Sequence, residues 1–170
     1  DGNDSITGAA NTSLYGDNGN DTLTLTGTGS FAYGGMGNDT LDGGAGFDFV
    51  WYGGATAAVQ IDLQAGTATG GEDNDQLVSI EGIAGSRYAD NLQGSAVDNY
   101  FRGDGGLTDL VGGNDTINGG AGVDEIGGGK GKDVLTGGKG NDFFEFFKGD
   151  GKDVITDFDA KGGEGKQDLI

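Results

Sequence analysis

Aspartates recur in this chain at a fixed spacing and are its strongest candidates for chemistry. In the C-terminal half they stand nine residues apart, at Asp115, Asp124, Asp133 and Asp142. Carboxylates brought close together repel one another unless a cation lies between them. The regular spacing therefore points to cation binding, provided that the fold stacks these residues.

The composition agrees with a cationic partner. Asp and Glu total 28 against 9 Lys and Arg, which gives a net charge of −19. A surface this negative repels the phosphates of nucleic acids and of anionic lipids. The chain has no Cys and no His, so it forms no disulfide and lacks the commonest transition-metal ligand and general base. No apolar stretch approaches the length of a membrane span, and no basic-then-apolar leader opens the chain.

Three of these aspartates belong to nine-residue units, and Asp115 belongs to a shortened one, GGNDTIN. Residues 34–51, GGMGNDTLDGGAGFDFVW, hold two copies with glycine at places one, two and four, aspartate at place six and a large apolar residue at place eight. Three further copies, GGAGVDEIG, GGKGKDVLT and GGKGNDFFE, fill residues 119–145. Residues 16–24 keep the unit with Asp17 at place two, and residues 25–33 keep its length with Ser30 at place six.

The spacing within the unit predicts a glycine turn followed by a very short strand. One apolar residue between two polar ones suits a strand with a single inward side chain, and the glycines supply positive-φ turns. Two units then form one coil of a parallel β-solenoid, in which residues eighteen apart, such as Asp21 and Asp39, stack on the same side. Carboxylates and turned carbonyls make an all-oxygen site, which suits calcium.

The unit resembles the RTX (repeats-in-toxin) calcium-binding nonapeptide, GGxGxD followed by an apolar residue two places later. The resemblance implies an all-β fold, a right-handed parallel β-roll with several Ca²⁺ ions in its turns. In each implied site the earlier turn gives the carbonyls of places two and four and its aspartate. The later turn, one coil on, gives the carbonyls of places one and three and its own aspartate.

Carried over to this chain, the family pattern gives three sites, the third of them built partly from a shortened unit. The first comprises Asp17, Gly19, Asp21, Gly34, Met36 and Asp39; the second Gly120, Gly122, Asp124, Gly137, Lys139 and Asp142; the third Gly113, Asp115, Gly128, Lys130 and Asp133.

Other implied sites depart from the pattern. Asp153, in the segment DVITDF that resembles a closing element of the family, is expected to ligate a last ion opposite Gly129, Gly131 and Asp133. The remaining ligand residues are Gly2, Asp4, Gly43, Ala45, Asp48, Gly119 and Ala121. Asp48 faces Ser30, so that site lacks a carboxylate. Asp4 precedes Asp21 by only seventeen residues, so we expect a tightened turn there.

The organisation along the chain follows the repeats. We expect a first roll block at 1–52, an inserted non-repeat β segment at 53–84 with a strand pair, degenerate repeats at 85–111, a second block at 112–145 and a cap at 146–170, all in one elongated domain. The degenerate repeats keep apolar residues at place eight, Leu92, Phe101 and Leu110, and have Asp90, Asn99 and Thr108 at place six. Five phenylalanines are expected to cover the open end of the roll: Phe143, Phe144, Phe146, Phe147 and Phe158.

These features predict a non-catalytic calcium-binding module. The resemblance implies a secreted or surface protein of a Gram-negative bacterium, exported by type I secretion machinery, with the parent protein free to be an enzyme. The opening DGNDSITG reads as a unit cut in its middle, so we expect a fragment of a longer chain. The alternative is an adhesin or polysaccharide-binding module that meets a glycan or host surface. Catalysis is the weakest reading, and the RGD at 102–104 is read as chance.

Overall fold

The computed structural model describes residues 1–71, 73–105, 112–159 and 168–170, and these residues form β-strands, bends and turns. No helix long and apolar enough to cross a bilayer occurs among them. The strands within these ranges are β1 Ser5–Gly8, β2 Ser13–Asn18, β3 Thr22–Leu25, β4 Phe31–Met36, β5 Thr40–Asp42, β6 Phe49–Trp51, β7 Val59–Asp62, β8 Thr67–Gly70, β9 Asn74–Val78, β10 Gly82–Ala84, β11 Asn91–Gln93, β12 Tyr100–Arg102, β13 Thr116–Ala121, β14 Glu125–Gly127, β15 Val134–Lys139, β16 Phe143–Glu145 and β17 Val154–Ile155.

Two sheets face each other, and the chain passes from one to the other in each coil. The first sheet has ten strands in the order β1-β3-β5-β9-β8-β7-β11-β13-β15-β17. The second has seven, in the order β16-β14-β12-β10-β6-β4-β2. Neighbours within the repeats pair in parallel, with Leu23 opposite Leu41 and Ile117 opposite Leu135. The predicted all-β parallel roll is confirmed.

One inward side chain per strand builds the core. Alternation along each short strand leaves the middle residue facing the opposite sheet, as in β5, where Leu41 is buried between two partly exposed neighbours. The buried apolar residues stacked across successive coils are, in the first sheet, Leu23, Leu41, Leu77, Ile61, Leu92, Ile117 and Leu135, and in the second, Leu14, Ala32, Val50, Ile83, Phe101, Ile126 and Phe144. In the first sheet, β3 also buries Leu25, β7 buries Val59 and β8 buries Ala68. The apolar place eight of the repeat is therefore the core position.

Glycine is required where the turns of successive coils touch. Gly35 and Gly37 have φ values of 99° and 126°, in the region that favours glycine. A Cβ on Gly35 would collide with the carbonyl oxygen of Asp17, and one on Gly37 with that of Gly19. Places two and four therefore admit the carbonyls of the preceding coil.

The inserted segment supplies more than the expected strand pair. β9 and β10 continue the roll, with Leu77 beside Leu41 and Ile83 beside Val50. β7 and β8 widen only the first sheet, where β8 pairs antiparallel with both of its neighbours. The strand β8 was not predicted, because its sequence TATG carries a single buried side chain, Ala68, and no large apolar residue.

The coil before the second block is longer than eighteen residues. Leu92 on β11 pairs directly with Ile117 on β13, twenty-five positions later. Leu110 and Thr108, assigned to the repeat register, lie outside the described residues.

The C-terminal end is covered differently from the expected five-phenylalanine cluster. Phe144 is buried, and its ring lies 6.1 Å from that of Phe158. Leu169 returns to the end of the roll, where its carbonyl accepts a hydrogen bond from the Phe144 N–H at 2.9 Å. Phe146 and Phe147 are 40% and 60% exposed, so they do not join the cover. Alternation along β16 turns Phe143 outward as well.

Candidate metal centres

Acidic side chains form a ladder along the edge where the chain enters the first sheet. In the repeats, the backbone N–H of one aspartate donates to a carboxylate oxygen of the aspartate in the next coil. Asp21 N–H donates to Asp39 Oδ1 at 2.8 Å, and Asp115 N–H donates to Asp133 Oδ1 at 2.9 Å. The same bond joins Asp133 to Asp153 at 3.0 Å. We call this row the first edge; its members are Asp4, Asp21, Asp39, Asp75, Asp90, Asp115, Asp133 and Asp153.

A second ladder runs along the edge where the chain enters the seven-stranded sheet. Asp124 N–H donates to Asp142 Oδ1 at 3.0 Å, and Asp48 N–H donates to Glu81 Oε2 at 3.1 Å. This second edge comprises Ser30, Asp48, Glu81, Asn99, Asp124, Asp142 and Asp168.

Six aspartates of these edges keep one buried oxygen without a hydrogen-bond partner. In each of them Oδ1 accepts a hydrogen bond from a backbone N–H, while Oδ2 is buried and has no hydrogen-bond partner. They are Asp21, Asp39, Asp48, Asp115, Asp124 and Asp133. A buried anionic oxygen without a partner is costly, so its recurrence at equivalent places indicates a ligand.

The glycine at place one leaves room beside the unpaired oxygens of Asp21, Asp39, Asp124 and Asp133. A Cβ on Gly16 would overlap both Asp21 Oδ2 and the carbonyl oxygen of Gly34 in the next coil. A Cβ on Gly119 would meet Asp124 Oδ2 and the carbonyl of Gly137 in the same way. A carboxylate oxygen and a carbonyl oxygen from two coils thus face one small space, which is the donor set that calcium prefers.

Burial raises the pKa of several of these carboxyls. The pKa of Asp115 rises to about 8, first because the group is removed from water and further because Asp90 and Asp133 are negative. The pKa values of Asp124 and Asp133 rise to about 6, again mainly through burial. A raised pKa means that the carboxylate form is poorly stabilised, and a divalent cation between two such groups would stabilise it.

The degenerate repeats close the same space with protein groups. Ser86 donates its backbone N–H and its hydroxyl to the two oxygens of Asp90. Ser95 donates both groups to Asn99 Oδ1, at 2.8 and 3.1 Å. In GSRYAD and GSAVDN, serine at place two therefore donates to the place-six side chain, whose counterpart in the GGxGxD turns keeps an unpaired oxygen.

The structure brings together the aspartate pairs that the sequence predicts. Asp21 meets Asp39, Asp124 meets Asp142, and Asp115 meets Asp133, each in adjacent coils. The place-three carbonyls also accept a hydrogen bond from the earlier turn, from Gly19 N–H to Met36 O at 2.9 Å and from Gly122 N–H to Lys139 O at 2.8 Å. Asp4 N–H reaches Asp21 Oδ1 at 2.7 Å despite the seventeen-residue coil.

Ser30 does not complete a site with Asp48. Its N–H donates to Asp48 Oδ1 at 3.1 Å, and its hydroxyl donates to backbone carbonyls, among them that of Gly27 at 3.3 Å. Asp48 is 0% exposed and finds an acidic neighbour in the following coil, Glu81.

Sequence reasoning missed four acids that the fold places in the ladders or beside them. Asp75 follows Asp39 by thirty-six positions, and its second oxygen accepts the Tyr52 hydroxyl at 2.7 Å, so protein groups use both of its oxygens. Asp104 accepts the Lys130 N–H at 2.7 Å and keeps a buried Oδ1 without a partner. The others are Glu81 and Asp168. Glu81 and Asp168 fall outside the nine-residue register, because they follow Asp48 and Asp142 by thirty-three and twenty-six positions. Asp75 keeps the register, since thirty-six positions are four units, and the segment GGEDNDQLV around it was a usable signal.

The paired arrangement fits calcium bound by two carboxylates and several carbonyls. Among the described residues no three acidic side chains converge as a metal-binding group, so any ion there would rely on backbone oxygens for the rest of its shell. Comparison with protein families decides the nature of these turns: residues 15–50 and 111–144 match the RTX calcium-binding nonapeptide repeat, in four copies. These segments are RTX repeats. They mark the chain as a calcium-binding module of a bacterial protein. No curated protein matches the chain.

Proposed function

We propose that this RTX module is a calcium-operated folding switch of a secreted bacterial protein. The observation that carries the proposal is the row of buried aspartate oxygens without protein partners in successive RTX turns. RTX repeats are typical of secreted proteins, and calcium is scarce in the cytosol and near millimolar outside cells. The chain would then stay open inside the cell, pass through a type I secretion channel, and fold outside.

The energetics of the switch are of the required size. Extracellular calcium modules have Kd values of about 10⁻⁴–10⁻³ M. At ten times Kd, each ion stabilises the folded form by about 1.4 kcal/mol. Five or six such ions would contribute roughly 7–8 kcal/mol, which is comparable to the whole stability of a typical domain. Against this stands a net charge of −19, which opposes a compact chain until cations bind.

The hydrodynamic radius, measured by size-exclusion chromatography over a calcium series, tests whether the chain is unfolded at cytosolic calcium concentrations and folded at extracellular ones. We expect an expanded chain in chelator and a compact one in millimolar calcium, with the midpoint between about 10⁻⁴ and 10⁻³ M. Magnesium at the same concentration is the control and should leave the chain expanded. A compaction midpoint in the micromolar range or below would contradict the switch between compartments while leaving calcium binding intact.

An aromatic groove supports a second candidate function, the binding of a neutral glycan. It crosses the outer face of the seven-stranded sheet and has a volume of about 490 Å³. The small residue Ala84 on β10 lines it, and Arg102, also in its lining, pairs with Glu145 at 3.8 Å. Its aromatic lining is Tyr15, Phe31, Tyr33, Phe49, Trp51 and Tyr100. Apolar rings with hydroxyl groups suit a sugar, and the negative charge of the module disfavours an acidic one.

A glycan array probed with the calcium-loaded chain tests this candidate. Binding to neutral glycans that is lost in Tyr15→Ala, a residue 56% exposed in the groove, would support it. Lys148→Ala, on an exposed turn outside the groove lining, is the control and should bind like the wild type. A loaded chain that binds no neutral glycan would contradict it.

A further inference from the structure

The turn from Gly43 to Asp48 is built like the other RTX turns but leads to a non-repeat partner. Gly44 and Gly46 have φ values of 74° and 132°, like the glycines at places two and four elsewhere. Asp48 is 0% exposed, and its Oδ2 is buried without a hydrogen-bond partner. Half of a calcium site is therefore present at a position where the following coil carries no GGxGxD.

Glu81 occupies the position that a place-six aspartate holds in the repeats. Asp48 N–H donates to Glu81 Oε2 at 3.1 Å, and Gly82 N–H donates to the Asp48 carbonyl at 2.9 Å. The regular pair of Asp21 and Asp39 shows both bonds, at 2.8 Å each. The backbone register is thus the same, with a glutamate in place of the aspartate.

Ser79 supplies the carbonyl that a place-one glycine supplies in the repeats. Its oxygen lies against Gly43, where a Cβ would overlap it, as the Gly34 oxygen lies against Gly16. The site differs from a repeat turn in that the nearest Asp48 atom to this Cβ position is its own Cβ, at 3.0 Å, and Ile80 Cδ1 lies at 3.1 Å. Ser79 has a φ of 51°, a left-handed backbone that is uncommon for serine and that turns this carbonyl toward Gly43.

The exchange of aspartate for glutamate follows from the shorter turn. One residue separates Ser79 from Glu81, whereas four separate places one and six of a repeat. The shortened turn leaves the backbone without its place-three carbonyl, and the additional methylene of glutamate extends the carboxylate. Glu81 also lines an open hollow with Gly46 and Asp98, which gives solvent access to this position.

We propose that Asp48, Glu81 and the Ser79 carbonyl bind a calcium ion that fastens the first repeat block to the non-repeat segment. The site lies outside residues 15–50 and 111–144 on its Ser79–Glu81 side, so the nonapeptide pattern does not assign it. The inference rests on the proposed function, since it requires that the repeat turns themselves bind calcium.

Calcium stoichiometry, measured by equilibrium dialysis on the full chain, tests the site. Glu81→Gln keeps a side-chain oxygen for the Asp48 N–H but loses the charge, and we expect it to bind one calcium fewer than the wild type. Glu125→Gln removes a charge from the outer face of β14 and should bind as many ions as the wild type. Glu81→Asp keeps the charge but shortens the side chain, and we expect it to lose the same ion.

The outcomes separate this inference from the proposed function. A wild-type chain that takes up no calcium overturns both. Full uptake in Glu81→Gln beside reduced uptake in Asp124→Asn overturns the inference alone. If the Glu81 variants do not fold, a crystal structure of the calcium-loaded wild type decides: a calcium ion between Asp48 and Glu81 supports the inference, and ions in the repeat turns with none there overturn it.

Discussion

The carboxylate of a ladder aspartate divides its two oxygens between two tasks. In Asp142, Oδ1 accepts the N–H of Asp124 and so joins successive coils. In Asp124, Oδ2 is buried without a protein partner and faces Gly119 and the Gly137 carbonyl. An amide oxygen could perform the first task, whereas an anionic oxygen adds the negative charge that strengthens cation binding. Asn99 illustrates the difference, because Ser95 satisfies it instead.

Asp124→Asn should therefore separate the two tasks. The coil-joining hydrogen bond can persist while the ion at this turn is lost, so we expect one calcium fewer and a loss of about 1.4 kcal/mol of stability at calcium ten times above Kd. Glu125→Gln, the next residue with the same change of charge, is the control. Isothermal titration calorimetry and thermal unfolding measure both quantities, and equal effects of the two substitutions would refute the assignment of Asp124.

At this scale the sequence predicts the partners wherever the spacing is regular. Asp21 with Asp39 and Asp124 with Asp142 follow from the eighteen-residue coil. The contact between Glu81 and Asp48 could not be predicted, because it depends on the path of an inserted segment that the repeat does not specify. The hydrogen bonds from Ser86 to Asp90 were also found only in the structure. The serine that follows glycine in GSRYAD could have indicated them, because the repeats have glycine at that place.

At the scale of elements, the turn glycines have two separable functions. Those at places two and four adopt positive φ, whereas Gly34 at place one does not and serves to leave space. A Cβ on Gly34 would overlap Asp39 Oδ2. Glycine is thus needed at places two and four for the backbone conformation, and at place one to leave room for a ligand beside the aspartate.

Gly34→Ala should fill the space for an ion with little change in backbone strain. We expect the calcium concentration at half-folding to rise about tenfold, which corresponds to about 1.4 kcal/mol. Gly127→Ala, on β14, is the matched control, since its Cβ would find its nearest neighbour at 3.7 Å, an ordinary contact. Similar midpoints for the two variants would show that the space beside Asp39 is not used.

The strands themselves were more predictable than their connections. The apolar place eight identifies the core residues of the repeat strands, such as Leu23 and Phe144, because each short repeat strand turns its middle residue inward. Core residues outside that register, such as Leu25 and Ile80, were not identified in this way. The antiparallel β8 and the twenty-five-residue coil before β13 were not predictable in this way. Both result from insertions that leave the sheets continuous.

At the scale of the whole molecule, two long rows of acids make folding depend on what neutralises them. Protons can do so as well as calcium. Burial raises the pKa of Asp75, Asp124 and Asp133 to about 6 and that of Asp115 to about 8. A folded-state pKa above the unfolded value contributes stability below the unfolded pKa, and this stability is lost as pH rises through the folded pKa.

In chelator, acidification from pH 8 to pH 5 should therefore promote β-structure, over the window between about 4 and about 8 set by these pKa values. In limiting calcium the same acidification should weaken calcium binding, because protons compete for the same oxygens. Circular dichroism at graded pH, with chelator and with calcium, measures both trends. A chelated chain whose β-content falls on acidification through this window would contradict the burial of these carboxyls.

The central claim is that calcium supplies the free energy that folds this RTX module. Circular dichroism of the chain during a calcium titration from chelator to several millimolar tests it most directly. The account predicts a largely unstructured chain in chelator at pH 7.5 and a cooperative gain of β-structure as calcium rises. A chain that is already fully β-structured in chelator at this pH would contradict it.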